Sequence, residues 1–207
     1  MAKQVIAVDI DDVLSATAEG FTRYSNEQWG NTHKAENYSE AWADFWNVSI
    51  DEAMKRSDIY HASGVIGEFE HYAEALPVLR GLAKKYTLVV ITSRKKAIKE
   101  LTDAWLERHF PGVFSAVHYA GIWDIKEGEE RAIERRLSQT KTELARELGA
   151  SYLIDDQLKH CAGAADAGIA ALLFGGRHRT VDRSVLPAGI TFVQDWQAVE
   201  EYFSAKG

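Results

Sequence analysis

Short apolar runs rich in β-branched residues recur along the sequence, and helix-patterned stretches separate most of them. The runs are Val5–Ile10, Thr87–Thr92, Phe114–Tyr119, Tyr152–Asp155, Ala170–Phe174 and Ile190–Val193. Each is too short for a typical helix and reads as a buried strand. Glu74–Lys85, Lys95–His109, Gln139–Leu148 and Gln157–Ala167 read as helices. In the second of these, Ile98, Leu101, Trp105 and Leu106 recur at helical spacing. Gly149 and Gly168 stand where C-caps belong, and Asp195 stands where an N-cap would open a last helix. Repeated strand–helix–strand units predict an α/β fold, a parallel sheet with helices on both faces.

Residues 16–76 break this rhythm. They offer helical pieces at Thr17–Trp29, Ser39–Trp46 and Ser49–Arg56 and no convincing strand. Ser49 and Glu52 have capping-box spacing. Ten of the chain's 22 aromatic residues lie here, which reads as a helical insert with a small core of its own. The segment also carries the whole net charge of −7, since the remaining acidic and basic residues balance. Such a field repels polyanions, so a long nucleic acid is not an expected partner. No run approaches the length that spans a bilayer, and the start, MAKQVIAVDI, does not have the pattern of a signal peptide. The lone Cys161 has no disulfide partner within the chain. A cytoplasmic location and no membrane partner are the expectations. Residues 122–137 read as a charged connection, and the sequence does not disclose an oligomeric state.

The ends of the strands hold the chemistry. In an open parallel sheet, ligands bind outside the carboxyl ends of the strands. The first strand runs into Asp9, Asp11 and Asp12, and the fourth ends in Asp155 and Asp156. Either pair alone reads equally as turn or cap residues. Two apolar strands that both end in paired carboxylates make a sharper pattern. On neighbouring strands they would converge, and hard oxygen ligands of that kind suit Mg²⁺. The second strand ends in Thr92-Ser93-Arg94, where a hydroxyl and backbone N–H groups can either cap the next helix or hold an anion. Lys141 opens a helix, against the dipole, which a role opposite phosphate or an aspartate would resolve. Gly175-Gly176-Arg177-His178-Arg179 follows the fifth strand and reads as a solvated basic loop or a ligand contact. His118 and His160 have no evident partner, and Cys161 reads as core.

The order strand–DxDxVL, helical insert, strand–TS, lysine, strand–DD resembles the haloacid-dehalogenase (HAD) superfamily of phosphatases over the whole chain. DIDDVLS, LVVITSR, KTELARELGASYLIDD and LLFGG most resemble its 5′(3′)-deoxyribonucleotidase branch. The resemblance implies a three-layer Rossmann-like core over 1–15 and 77–207, with a helical cap at 16–76. It implies a Mg²⁺-dependent phosphomonoesterase acting through an aspartyl-phosphate on a small phosphorylated substrate, such as a (deoxy)nucleoside 5′-monophosphate. By the same resemblance Asp9 is the nucleophile and Asp11 the general acid/base, while Thr92 and the backbone around Ser93 bind phosphate. Lys141 balances charge. Asp9, the Asp11 carbonyl, Asp155 and, through waters, Asp156 serve the metal. Asp12 departs from the pattern, since many relatives have glycine there. Trp42, Phe45 and Trp46 are candidates to stack on a base, or else they form the core of the cap. A phosphatase for another small metabolite and an inactive binding protein are the competing readings.

Overall fold

The computed structural model describes residues 2–120, 141–177 and 186–206. The expected connection at 122–137, together with His178 and Arg179, lies outside the described residues. Six strands form one parallel sheet: β1 Val5–Val8, β2 Thr87–Thr92, β3 Ala116–Tyr119, β4 Ala150–Asp155, β5 Ala170–Phe174 and β6 Ile190–Val193. Their order is β3-β2-β1-β4-β5-β6. The bounds of β2, β5 and β6 match expectation, whereas β1 is shorter, because its backbone leaves the sheet after Asp9. Asp9 N–H still donates to Ile154 O, but Leu14 and Ser15 N–H both donate back to Ile10 O, closing a tight turn.

The helices are α1 Thr17–Trp29, α2 Trp42–Trp46, α3 Ile50–Ser63, α4 Ala75–Leu82, α5 Lys99–His109, α6 (described over 141–147), α7 Leu158–Asp166 and α8 Trp196–Ser204. Side chains alternate across the sheet, as the pleat requires. Ile6, Val8, Val90 and Ile154 face one way, packing with Leu79 of α4, Trp105 of α5 and Trp196 of α8. Ala7, Val89, Ile91 and Leu153 face the other way, against Ala145 of α6 and Cys161 and Ala164 of α7. Each fully buried aliphatic side chain contributes roughly 1.5–3 kcal/mol of burial free energy, so two filled faces fix the strand register. Asp195 caps α8 by accepting from Ala198 N–H, and Ser49 caps α3 by accepting from Glu52 N–H. The reciprocal half of the expected capping box is replaced: the Glu52 carboxylate pairs with Arg56 instead.

Residues 16–76 contain α1, α2 and α3 and no strand. Their two ends are joined where they leave the sheet layer: Ala16 N–H donates to Glu70 O, and Tyr72 N–H donates to Leu14 O. Between those ties Phe21 is the centre of an aromatic cluster. It stacks on Trp42 and Trp46, with ring centroids at 4.8 and 5.4 Å, and meets Tyr38 and Tyr60 edge-on. The cluster leans on the α5 side of the sheet through Ile98 and Leu101, and Trp105 Nε1–H donates to Phe69 O at 2.9 Å. Gly20 permits this packing, since a Cβ there would stand 2.4 Å from Phe69 Cδ1. Gly20→Ala is therefore expected to destabilise the protein by about 1–3 kcal/mol, read as a lowered thermal midpoint. An unchanged midpoint would contradict the close approach of α1 to Phe69.

Candidate active site

The strand order reverses between β1 and β4, and the carboxyl ends of these two strands are neighbours. Asp9 follows β1, and Asp155 closes β4 one register step beyond the Val8–Ile154 pair. Lys141, at the described start of α6, reaches between them. Its Nζ lies 2.8 Å from Asp9 Oδ2 and 2.9 Å from Asp155 Oδ2, and all three side chains are at least nine-tenths buried. The lysine that the sequence reading places at a helix start thus has two buried carboxylate partners. Asp155 is saturated on its other side, where Oδ1 accepts from Gln157 N–H at 2.8 Å and lies 3.1 Å from His160 Nδ1. His160, unpaired in the sequence reading, thus has a buried partner at the end of the preceding strand. Asp156 is buried beside this group and accepts from Gln157 Nε2.

The turn after β1 separates the roles of Asp11 and Asp12. Asp12 has φ of +54°, a left-handed conformation that glycine adopts without cost, which is the physical sense of a glycine at this position. Its side chain offsets the strain by accepting from Ala18 N–H at 2.8 Å, tying the turn to α1. Asp11 faces β2. Its carboxylate accepts from Arg94 Nη2 at 2.8 Å, from Arg94 Nε at 3.2 Å and from Thr17 Oγ1 at 2.7 Å. Thr92 is fully buried at the end of β2, and its Oγ1 accepts from Arg94 N–H. It therefore shapes the turn rather than capping a helix. Ser93 Oγ is buried without a hydrogen-bond partner among the described residues.

Burial pushes the Asp9 carboxyl up to about 8, with the attraction of Lys141 outweighed once Asp155 and Asp11 add their repulsion. Burial also works to raise Asp155 and Asp11. For Asp155, Lys141 and His160 reverse the effect, and for Asp11 the Arg94 guanidinium does, so both stay below the usual carboxylate range. Lys141 is held above its ordinary value by Asp155 and Asp9 despite its burial. Asp9 and Asp155 therefore share one buried lysine with Asp156 buried beside them, while Asp11 is paired with Arg94, an arrangement around Lys141 that suits a further cation.

The ligand atoms of Asp9, Asp155 and Asp156 lie within 4.8 Å of one another, and Asp9 Oδ1 is buried without a partner among the described residues. An all-oxygen set of this kind fits Mg²⁺. The carboxylate of Asp11 is not part of that group. It is turned to Arg94, so any share of Asp11 in holding a metal falls to its main-chain carbonyl.

A cavity of about 520 Å³ opens beside Asp12 and Asp156, lined by Tyr38, Glu36, Glu40, Tyr72, Lys159 and Arg177, with Gly175 and Gly176 at its rim. The loop after β5 thus reaches a cavity through Arg177. Trp42, Phe45 and Trp46 do not line it. Phe45 and Trp46 are buried in the aromatic cluster, and Trp46 Nε1–H donates to Ser25 Oγ. Arg94, His160, Thr17 and Tyr38 were missed by sequence reasoning. Only Arg94 carried a signal there, its place next to Thr92-Ser93.

A parallel sheet in the order 3-2-1-4-5-6, with Asp9, Asp155 and Asp156 at its switch point, Lys141 between them and a hydroxyl at the end of β2, defines a HAD-like hydrolase. Among solved structures, a haloacid dehalogenase-like family hydrolase from Streptococcus pneumoniae superposes with a TM-score of 0.71 at 15% identity, over 97% of this chain and 98% of that one. A 2-haloacid dehalogenase from Pseudomonas syringae gives 0.56 at 18% identity, over 100% of both chains. A D,D-heptose 1,7-bisphosphate phosphatase from B. bronchiseptica, complexed with magnesium and phosphate, gives 0.56 at 18% identity, over 99% of both. One fold thus serves dehalogenases and phosphatases, and the fold alone does not choose between them. The family model described as 5′ nucleotidase, deoxy (pyrimidine), cytosolic type C protein matches residues 3–122, and the chain belongs to that family. It is a phosphatase of the 5′-nucleotidase type. No curated protein sequence gives a significant match.

The raised Asp9 carboxyl sets a pH dependence. Between its unfolded value of 3.8 and about 8, the folded metal-free protein binds a proton that the unfolded chain has released. The corresponding stability is complete below that window and is lost as pH rises through it. The thermal midpoint in EDTA is expected to fall from pH 5 to about pH 8, and Asp9→Asn should flatten that trend. Mg²⁺ competes with the proton, so it should raise the midpoint more at the upper end than at the lower. A Mg²⁺ shift of equal size at both ends would refute the cation site at Asp9.

Proposed function

We propose that this protein is a Mg²⁺-dependent phosphomonoester hydrolase acting through an aspartyl-phosphate, with (deoxy)nucleoside 5′-monophosphates as substrates. The observation that carries this reading is the buried Asp9–Lys141–Asp155 group with its unpartnered Asp9 oxygen. The nucleotide part rests on the family, whose description also supports a cytoplasmic location. Residues 1–15 and 77–207 form the catalytic core in this reading, and residues 16–76 form a cap over it. A Mg²⁺ ion held by Asp9, Asp155, Asp156 and the Asp11 carbonyl would supply charge neutralisation at the phosphate.

The chain's own groups carry the reaction. A carboxylate oxygen of Asp9 attacks phosphorus, and the bond from phosphorus to the leaving oxygen breaks. Asp11, protonated for this step, gives its proton to the departing alkoxide. Water then attacks the phosphoenzyme and yields a proton to Asp11, the bond to Asp9 breaks, and inorganic phosphate leaves. Lys141 restrains the nucleophile and offsets charge on the transferring oxygens, while Thr92 and the backbone at Ser93 orient them. Asp11 also argues against haloacid chemistry, which needs no acid at that position.

The cavity beside Asp156 is the natural room for the leaving group. Its volume of about 520 Å³ falls within the range of about 300–1,000 Å³ for small-molecule sites. Its lining is polar and charged, with Tyr38 and Tyr72 as the aromatic rings. That lining keeps a second reading alive, a phosphatase for a sugar phosphate or a similar small metabolite. It also makes Trp42, Phe45 and Trp46 the frame of the cap rather than a stacking platform. Phosphate release from nucleoside 5′- and 3′-monophosphates and sugar phosphates, with Mg²⁺ and with EDTA, separates the two readings. Mg²⁺-dependent release confined to nucleotides is expected; release only from sugar phosphates would transfer the chemistry to the second reading. Asp9→Asn should reduce turnover to background while the fold is kept, and near-normal turnover would remove Asp9 from the role of nucleophile.

A further inference from the structure

Arg94 presents an unusual arrangement. It is 95% buried, by a relative exposure of 5%, at the end of β2 beside the phosphate-binding pair. The Nε–Nη2 edge of its guanidinium grips Asp11, at 3.2 Å to both carboxylate oxygens from Nε and 2.8 Å from Nη2. Its Cζ lies 5.8 Å from the centroid of the Trp105 ring, which itself is anchored to Phe69 O. The remaining nitrogen, Nη1, is buried and has no hydrogen-bond partner among the described residues. Ser93 Oγ and Asp9 Oδ1 share that condition. Two donors and one oxygen of Asp9 are therefore buried and unsatisfied among the described residues at the adjoining ends of β1 and β2. An unsatisfied buried donor is costly, and a charged one more so, unless something that visits the site completes it.

We propose that Arg94 is a ligand of the substrate phosphate as well as the residue that positions Asp11. Nη1 and Ser93 Oγ donate to non-bridging phosphate oxygens, while the opposite edge of the same guanidinium holds Asp11 on the leaving-group side. The inference rests on the phosphatase reading and adds to it a cation other than Lys141. A planar fork suits both duties at once: one edge is used by a carboxylate, and the other end stays free for a second anion. A lysine offers a point charge and cannot grip Asp11 bidentately. The two duties can therefore be separated by substitution.

The test uses the full chain with Mg²⁺, with inorganic phosphate as the binding probe and the best monoester of the substrate panel for kinetics. Calorimetry gives phosphate affinity, steady-state kinetics give kcat and KM, and circular dichroism reports the fold. Arg94→Met is expected to weaken phosphate binding at least about tenfold, a loss typical of one charge-assisted hydrogen bond. Arg94→Lys is expected to restore affinity to within about threefold while kcat stays at least about tenfold low, because the charge returns without the fork. Phosphate affinity unchanged in Arg94→Met would overturn the phosphate contact. Full recovery of kcat in Arg94→Lys would overturn the positioning of Asp11. Should Arg94→Met fail to fold, Arg94→Gln takes its place as the charge-removing variant, with the same outcomes for phosphate affinity: at least about tenfold weaker supports the contact, and unchanged overturns it. Absence of phosphate release by the unaltered protein from every monoester would instead sink the phosphatase reading, which keeps the two failures distinct.

Discussion

The Lys141 ammonium sits between the Asp9 and Asp155 carboxylates, and the architecture around it serves to keep those three charges together. Buried charges are expensive, and an ion pair out of water rarely returns its full desolvation cost. This group survives because each member is over-determined. Asp9 is fixed by the β1–β4 ladder, Asp155 by Gln157 N–H and His160, and Lys141 by the packing of α6 against the sheet through Ala145. The balance is left one step short, with Asp9 Oδ1 unpartnered and Asp156 alongside. Residual negative charge in a dry, rigid place suits a cation.

A second charged pair stands next to the first and does different work. Arg94 and Asp11 join the ends of β1 and β2, 83 positions apart in the chain. The first group holds Asp9 and Asp155 through Lys141, and the second holds Asp11 through Arg94. Different surroundings push the two carboxyls in opposite directions, Asp9 up by burial and crowding, and Asp11 down by Arg94. A cation bound at Asp9 would oppose the upward shift there and favour the ionised carboxylate. The aromatic-rich segment above them has its own centre at Phe21, and the cavity beneath it is polar. An abundance of rings in that segment therefore reports mostly on how a three-helix insert finds a core, and only Tyr38 and Tyr72 meet the cavity.

Legibility from sequence differed by kind of feature. β2, β5 and β6 were readable to the residue, because a buried strand between turn residues leaves few other readings. The end of β1 was not, since Ile10 is as apolar as the strand before it but belongs to the turn, where its carbonyl accepts from Leu14 and Ser15. Asp9, Asp155 and Lys141 were readable through motif order. His160 and Arg94 were passed over, because a histidine in a helix and an arginine after a strand are common and their partners lie elsewhere. Trp42, Phe45 and Trp46 illustrate the opposite limit: composition marks aromatic residues as important without saying which face they occupy.

Taken alone, the sequence determined the layered α/β plan, the helical insert and the carboxylates that close β1 and β4. Periodicity and turn chemistry are local, and each of these features is written within a few neighbouring residues. Which charges meet was decided only by the tertiary structure. Lys141 reaches Asp9 because β1 and β4 lie side by side, Arg94 reaches Asp11 because β2 flanks β1, and Asp12 turns back to α1 because the chain folds left-handed there. Those pairings depend on strand order and on two packed faces holding the register, and neither is a property of any short stretch of chain.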